Sequence, residues 1–348
     1  MKAAVFHQPR DIRIEEAAKP TPGPGEIVIR TEVALTCGTD LKMYRRGHPL
    51  AKPPMIMGHE FSGVIESVAS DVKDFSVGMR VVAVNSAPCD NCFYCKNGQQ
   101  NLCEKLDEAI IGFSWPGAYA QYVRVPQHIV RKNTYAIPAR LSFQEAAILE
   151  PLSCVVHGSN LAGIKSGDNV VIVGTGPIAL LHVQVARGKG VREAIVVGRT
   201  PEKLRLAERL GATGTINTRE ADPKGAVIEL TAGRGADVTI EAVGQPETWE
   251  SAVGLTRKGG TVLLFGGCAK GSTAPLDTYA VHYGELTLKG AFHHTPASVK
   301  EALDLLRTGS VKANELISAS MPLRNLVGAF DLMEASKVSK VAIKTQPD

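Results

Sequence analysis

From Met1 to about Val130 apolar and polar positions alternate in short runs: KAAVFH from Lys2, DIRIEE from Asp11, EIVIRTEVAL from Glu26, FSGVIESVA from Phe61, RVVAVN from Arg80 and AQYVRVP from Ala120. Period-two runs bounded by proline and glycine predict strands, so this part reads as a β-rich domain. The segment KPTPGPGE, Lys19 to Glu26, lies between strand-like runs and reads as a rigid turn within that domain rather than a linker. After Leu141 the texture becomes strand then helix, repeatedly. NVVIVG precedes PIALLHVQVARGKG; AIVVG precedes TPEKLRLAERLGA; GTIN precedes a helix near Lys224 to Thr231; ADVTIEAVG precedes PETWESAVGLTRKGG; TVLLFGG closes the series. Buried apolar strands alternating with amphipathic helices predict an α/β doubly wound parallel sheet. Thr200 before Pro201 reads as a helix start and Gly211 as its stop. Beyond about Gly290 one further helix, PASVKEALDLLRTG, and a strand, KVAIKT, complete the pattern.

Length and charge narrow the function classes. The 348 residues fit two domains at roughly 100–200 residues each. The formal charge of +4, with 21% charged residues, is too small and scattered for a phosphate-tracking surface, so no nucleic-acid partner is expected. The most apolar stretch, Asn169 to Ala186, is interrupted by Gly174, Gly176, Pro177 and His182, which argues against a membrane span. The N-terminus has no uninterrupted apolar core of the kind a signal peptide needs, so a reducing cytoplasm is the expected compartment. There seven cysteines read as metal ligands plus spares rather than as a disulfide framework.

Cys89, Cys92, Cys95 and Cys103, in the run CDNCFYCKNGQQNLC, are spaced so that four thiolates can converge on one Zn²⁺. Four sulfurs leave no open position, so this site is expected to be structural. Cys37 in TCGTD, the pair His59 and Glu60 in MGHEFSGV, and Glu150 in LEPLSCVVH offer a thiolate, an imidazole and two carboxylates. If they converge, they match a catalytic zinc site with room for water or substrate. Cys154 and Cys268 have no ligand-type neighbours at close spacing and read as small packed side chains.

NVVIVG runs into Gly174-Thr175-Gly176-Pro177-Ile178-Ala179, a G-x-G-x-x-A turn in the strand-turn-helix context of a dinucleotide site, with Gly174, Gly176, Pro177 and Ile178 against the pyrophosphate. After the next strand the expected carboxylate is replaced by Gly198 and Arg199, with Lys203 one helical turn on. That favours NADP(H), glycine giving room and the cations countercharge to a 2′-phosphate. NAD(H) stays open, with Arg199 stacked on adenine and Glu202 as the carboxylate.

The TCGTD cysteine, the GHEFSGV pair, the four-cysteine lobe, the EPLS glutamate and the G-x-G-x-x-A turn, in this order, resemble the zinc-containing medium-chain dehydrogenases, in their polyol (sorbitol) and threonine dehydrogenase branch. The resemblance covers essentially the whole chain. It implies a GroES-like catalytic domain over 1–152 and 293–348, with the zinc lobe at about 85–110, a Rossmann domain over 153–292, and a homodimer or homotetramer. Cys37, His59, Glu60 and Glu150 would ligate or closely attend the catalytic zinc, and Thr39 would take the substrate proton. Val243, Gly266 and Phe292 would join the cofactor contacts. Relatives carry a histidine where this chain has Lys42; Lys42, His48 or water would serve the proton path, or Lys42 is a solvated charge. Tyr44, Phe113, Trp115, Glu150 and His293 are the expected specificity side chains, Phe113 and Trp115 alternatively being packing residues. The implied reaction is reversible hydride transfer between a secondary alcohol, such as a polyol, cyclitol or sugar-derived alcohol, and NAD(P). L-Threonine-type oxidation is the alternative within the family; a non-catalytic nucleotide-binding relative and a zinc hydrolase are the alternatives outside it.

Overall fold

The first run of alternating residues becomes eight strands: β1 (Lys2–Gln8), β2 (Asp11–Glu16), β3 (Ile27–Leu35), β4 (Met55–Ile56), β5 (Glu60–Val68), β6 (Arg80–Ala83), β7 (Tyr122–Val125) and β8 (Thr134–Ala136). The chain then forms the parallel-sheet strands β9 (Asn169–Val173), β10 (Glu193–Gly198), β11 (Gly214–Asn217), β12 (Ala236–Glu241), β13 (Thr256–Leu264) and β14 (Thr287–Gly290), and ends with β15 (Ala319–Pro322) and β16 (Val341–Lys344). A computed structural model describes residues 1–347 and divides them into two units: Met1–Ser153 together with the chain from His294 onward, and Cys154–His293.

In the β-rich unit β3 is the hub. It pairs antiparallel with β5, β7 and β16, within a seven-stranded sheet whose main order is β15-β16-β3-β5-β6-β8, while β2-β1-β4 form a smaller sheet. Ile27, Val28 and Ile29 of β3 are all buried, so both faces are covered and the strand cannot slip without exposing apolar surface. Phe6, Met43, Phe61, Ile65, Tyr119 and Phe330 fill the core between them. The helix Pro296–Thr308 is capped by Thr295 and stopped by Gly309 in a left-handed conformation (φ 74°). A second helix, Leu326–Glu334, was not legible in the sequence and packs Leu326, Ala329 and Phe330 into the same core. β16 returns beside β3, with Ala342 opposite Leu35, and that pairing sets the end of the chain next to Cys37.

The second unit is a fully parallel sheet in the order β11-β10-β9-β12-β13-β14. Every residue of β9 is buried, as expected for a strand with helices on both faces. Its crossover helices Pro177–Gly188, Pro201–Arg209, Pro223–Leu230 and Pro246–Leu255 each begin with proline, whose missing N–H costs nothing in the first turn. Three local expectations change. Thr200 precedes its helix but its side chain makes no capping bond. TRKGG, read as helix, is the start of β13, because the helix ends at Leu255 and Gly260 must pass close to the Asp237 carbonyl, where a Cβ would sit 3.0 Å away. β14 makes a sixth strand after a short helix, Thr278–Tyr283. No helix of the described residues is long and apolar enough to cross a membrane.

His182, on the helix Pro177–Gly188, is wholly buried: Nδ1 meets Ser159 Oγ at 3.1 Å and the ring lies edge-on to Phe265. Burial lowers its pKa to about 3. The unfolded chain therefore binds the proton more readily below about pH 6.5, and stability falls as pH drops from there toward 3, by roughly 1.4 kcal/mol per pH unit. His182→Gln, uncharged throughout, is expected to flatten the fall of the melting midpoint between about pH 6.5 and 4.5; parallel profiles for the two proteins would contradict this.

Candidate active site

Cys37 ends the chain segment leaving β3 and caps the helix Gly38–Arg46. Its sulfur accepts the Thr39 N–H at 3.4 Å while its own N–H donates to Asp40 Oδ2 at 3.1 Å. Asp40, fully buried, also accepts His59 Nδ1–H at 3.0 Å and the Tyr119 hydroxyl at 2.6 Å. A carboxylate only accepts, so Nδ1 of His59 carries a proton, and Nε2 is the nitrogen that would coordinate a metal once the metal displaces any proton there. Gly58 enables this turn: its φ is 95°, and a Cβ there would fall 2.8 Å from the Tyr119 ring. One ligand atom each from Cys37, His59 and Glu60 lies within 4.8 Å of the others.

Glu60 is buried against Lys340, whose Nζ touches Glu60 Oε2 and donates to the Thr36 carbonyl at 3.0 Å. Glu60 Oε1 is buried and has no hydrogen-bond partner, in a carboxylate that brings one oxygen within 4.8 Å of the Cys37 sulfur and a His59 nitrogen. A buried orphan acceptor is costly, and a divalent cation there would satisfy it. The donor set, one sulfur, one nitrogen and carboxylate oxygen, suits zinc. Burial works against a charged His59, yet the Asp40 carboxylate and the Cys37 sulfur outweigh it and raise its pKa well above the usual imidazole value. Burial likewise opposes the Lys340 ammonium, but Glu60 and Cys37 hold it charged.

Glu150, near the start of the helix Leu149–Ala162, stands outside the three-residue group. Burial pushes its carboxyl up to about 7, with His59 and Lys340 pulling against that and Glu60 and Asp40 adding to it. Thr39 is half-buried in the first helical turn, and Lys42 is exposed on the same helix. Phe113 places its ring 5.0 Å from both His59 and His48, forming a wall of the site. Tyr44 does not line it: the ring is buried against Phe330 at 5.4 Å and beneath Arg10. Trp115 is tied by its indole N–H to the Arg124 carbonyl at 3.0 Å and lies under the Arg124 guanidinium, so it packs on the β-rich unit's own surface. His293 falls in the parallel-sheet unit rather than in the β-rich one. Asp40, Tyr119 and Lys340 were missed in the sequence. Only Asp40 carried a signal, its position three residues after Cys37.

The four lobe cysteines bring their sulfurs within 4.8 Å of one another, and none of the seven cysteines is in a disulfide. Backbone N–H groups of Asn91 and Cys92 point at Cys89 Sγ, and those of Cys89 and Lys105 at Cys103 Sγ, at 3.3–3.4 Å. Such N–H groups favour thiolates. Bonds from the Cys95 and Glu104 backbone lower the Cys92 pKa to about 6, whereas burial pushes Cys95 up to about 12. A zinc ion entering the lobe would have to displace the Cys95 proton.

In the parallel-sheet unit the turn after β9 is built for close approach. Gly174 has φ 121°, and a Cβ on Gly176, which begins the helix Pro177–Gly188, would meet no protein atom within 4 Å. Ile178 sits in the first turn of that helix. The turn thus leaves an open cradle at a helix N-terminus, where a pyrophosphate fits. Gly198 also has a packing use: a Cβ there would lie 2.3 Å from Thr175 Cγ2, so the Thr175 side chain fills the space that the glycine leaves. Arg199 is exposed, Lys203 half-buried, and Glu202 is engaged with Arg205 at 3.2 Å. Val243 and Phe292 are exposed at strand exits, and Gly266 follows β13.

Removing one partner of a buried ion pair strands the other, at a cost of about 3–5 kcal/mol. Lys340→Met is therefore expected to lower the urea midpoint of the β-rich unit strongly, and Lys340→Met with Glu60→Gln to recover most of it. Equal losses in both variants would show that the pair is not what holds this corner.

The description "Alcohol dehydrogenase GroES-like domain" fits residues 23–138 and "Zinc-binding dehydrogenase" fits residues 177–308. Sorbitol dehydrogenase of Bacillus subtilis (strain 168) is 32% identical over 334 residues, covering 95% of this chain and 93% of its own. Erythritol/L-threitol dehydrogenase of Mycolicibacterium smegmatis is 35% identical, covering 97% and 96%. The structure of a zinc-binding dehydrogenase of Sinorhizobium meliloti 1021 bound to NADP superposes with a TM-score of 0.92 at 33% identity, covering 99% of this chain and 98% of that one. With a GroES-like β domain, a Rossmann sheet and full-length relatives of this kind, the chain belongs to the zinc-binding medium-chain dehydrogenases, in their polyol dehydrogenase branch, NAD(P)-dependent enzymes that oxidise secondary alcohols reversibly.

Proposed function

We propose that this chain oxidises a secondary hydroxyl of a polyol, cyclitol or sugar-derived alcohol to the ketone, reversibly, at a zinc held by Cys37 and His59 with Glu60 and Glu150 as attendant carboxylates. The observation that carries this is the convergence of Cys37, His59 and Glu60, one ligand atom each within 4.8 Å of the others, on a carboxylate whose buried Oε1 has no hydrogen-bond partner. The names of the relatives above, acting on sorbitol and on erythritol or L-threitol, support a polyol. When bound, zinc supplies Lewis acidity toward the substrate hydroxyl and NAD(P)⁺ supplies the hydride acceptor.

The residues of the chain orient and move the proton. Asp40 fixes the tautomer and plane of His59, and Tyr119 fixes Asp40. Burial pushes the Glu60 carboxyl above its usual value, and Lys340 pulls against that push and offsets the negative charge that buried sulfur and carboxylates accumulate. Thr39, on the first turn above Cys37, accepts the substrate proton, and Lys42 on the next turn offers an exit toward water. Phe113 screens the His59 side of the site from solvent. The carboxylates make the site harder than an all-thiolate one and more tolerant of a hydrated, polyhydroxylated substrate.

Cys89, Cys92, Cys95 and Cys103 hold a second, structural zinc. Arg199 and Lys203 select NADP(H), a reading that rests on charge and not on the space at Gly198. The assembly is a homodimer or homotetramer working in the cytoplasm.

Initial rates with polyols, cyclitols, sugars and L-threonine, each with NAD⁺ and NADP⁺, test the reading. Turnover is expected with one or more polyhydroxylated alcohols and faster with NADP⁺. No turnover by a folded, zinc-loaded sample, or turnover of L-threonine alone, would contradict it. Arg199→Ala is expected to shift the NADP⁺ over NAD⁺ preference by about tenfold, the scale of one lost charge-assisted contact to phosphate; an unmoved ratio would remove the clamp.

A further inference from the structure

Glu241, the last residue of β12, is fully buried and lies outside the motifs that the proposed reaction uses. Its Oε1 accepts three hydrogen bonds: from the N–H of Val243 at 2.7 Å, the N–H of Gly244 at 2.9 Å and Thr248 Oγ1 at 2.8 Å. Its backbone carbonyl accepts the N–H groups of Phe265 at 3.0 Å and Gly266 at 2.9 Å. One residue therefore fixes both the loop leaving β12 and the loop leaving β13. The fit is tight on every side. A Cβ on Gly266 would lie 2.6 Å from Glu241 Oε2, one on Gly244 would lie 2.7 Å from the Gly267 carbonyl, and the Trp249 indole donates to the Gly266 carbonyl at 2.9 Å.

These loops stand at the sheet's ligand edge. The strand order reverses between β9 and β12, and in a doubly wound sheet a dinucleotide lies across the crevice at that reversal. The glycine turn after β9 and Arg199 after β10 serve its adenosine side, so the exits of β12 and β13 serve the other half. Val243, 42% exposed there, presents its Cγ2 only 3.1 Å from where a Cβ of Gly174 would be.

We propose that Glu241 is a positioning residue for the nicotinamide half of the cofactor: its carboxylate locks Val243 and Gly244, beside the Gly266 that its backbone carbonyl holds, into the surface that the nicotinamide riboside meets. The inference rests on the dinucleotide reading of this unit. A side chain that only stabilised the sheet would not distinguish the two halves of the cofactor, whereas an anchor of these loops does.

The test is binding to the zinc-loaded enzyme, by fluorescence for NADPH and by calorimetry for 2′,5′-ADP, which carries only the adenosine side. Glu241→Ala leaves buried donors unpaired and is expected to raise the Kd for NADPH about tenfold while leaving 2′,5′-ADP within about twofold. Glu241→Gln keeps the acceptor oxygen and is expected to restore NADPH binding. If Glu241→Ala does not fold, Thr248→Val removes one of the three donors to the same oxygen and is expected to weaken NADPH alone, by about threefold. Unchanged NADPH binding in these variants, or equal loss of both ligands, would overturn the assignment. A wild-type protein that binds none of NADPH, 2′,5′-ADP, NADH and AMP would overturn the dinucleotide reading itself, and one that binds only NADH and AMP moves the same comparison to that pair; both differ from a wild type that binds its pair and a variant that matches it.

Discussion

A buried ammonium at the end of the chain balances a buried carboxylate near residue 60, and the site depends on that contact. Lys340 reaches Glu60 only because β16 lies antiparallel to β3, with Ala342 opposite Leu35. Without Lys340 the pocket would collect Cys37, Asp40, Glu60 and Glu150 with His59 as the sole counterweight. With it, one carboxylate oxygen is held and the other is left without a hydrogen-bond partner, in a carboxylate that reaches within 4.8 Å of the Cys37 sulfur and the imidazole. Buried ion pairs are poor sources of stability by themselves, because desolvation cancels most of their attraction. Their value here is geometric: a cation-shaped gap with its donors already aimed.

Asp40 plays the same part for His59. Three donors, the Cys37 N–H, His59 Nδ1–H and the Tyr119 hydroxyl, converge on it without exposure to water. The helix cap that positions Cys37 and the carboxylate that orients His59 are thus the same side chain. In the other unit Glu241 gathers three donors at a strand exit in a similar way. Both are carboxylates that shape a ligand surface without being on it.

The sequence carried the longer strands of both units, though not the short β4, β8, β14 and β15, together with the cysteine lobe, the glycine turn and the Cys37, His59 and Glu60 motifs, because each is a local pattern of period or spacing. Lys340 was illegible for a physical reason: it precedes an apolar strand and is separated from Glu60 by 280 positions, so nothing local marks its partner. Tyr119 was hidden likewise, as an aromatic in the bend just before the β run from Ala120. Gly198 was legible as a glycine but its cause was not, since Thr175 packs against it from a different turn. Tyr44 sits on the same short helix as Thr39, yet helix rotation turns it into the core against Phe330. The boundary between helix and strand at Thr256 depended on a close backbone pass at Gly260, which no periodicity reveals.

The central claim is that the buried Cys37, His59 and Glu60 cluster is a metal centre separate from the cysteine lobe. Diffraction from crystals of the purified enzyme at the zinc absorption edge tests it most directly. The account predicts two anomalous peaks per chain, one among Cys89, Cys92, Cys95 and Cys103 and one bonded to Cys37 Sγ and His59 Nε2, with Nδ1 still on Asp40. A peak in the lobe alone from a fully zinc-loaded sample, or a second peak away from Cys37 and His59, would contradict it.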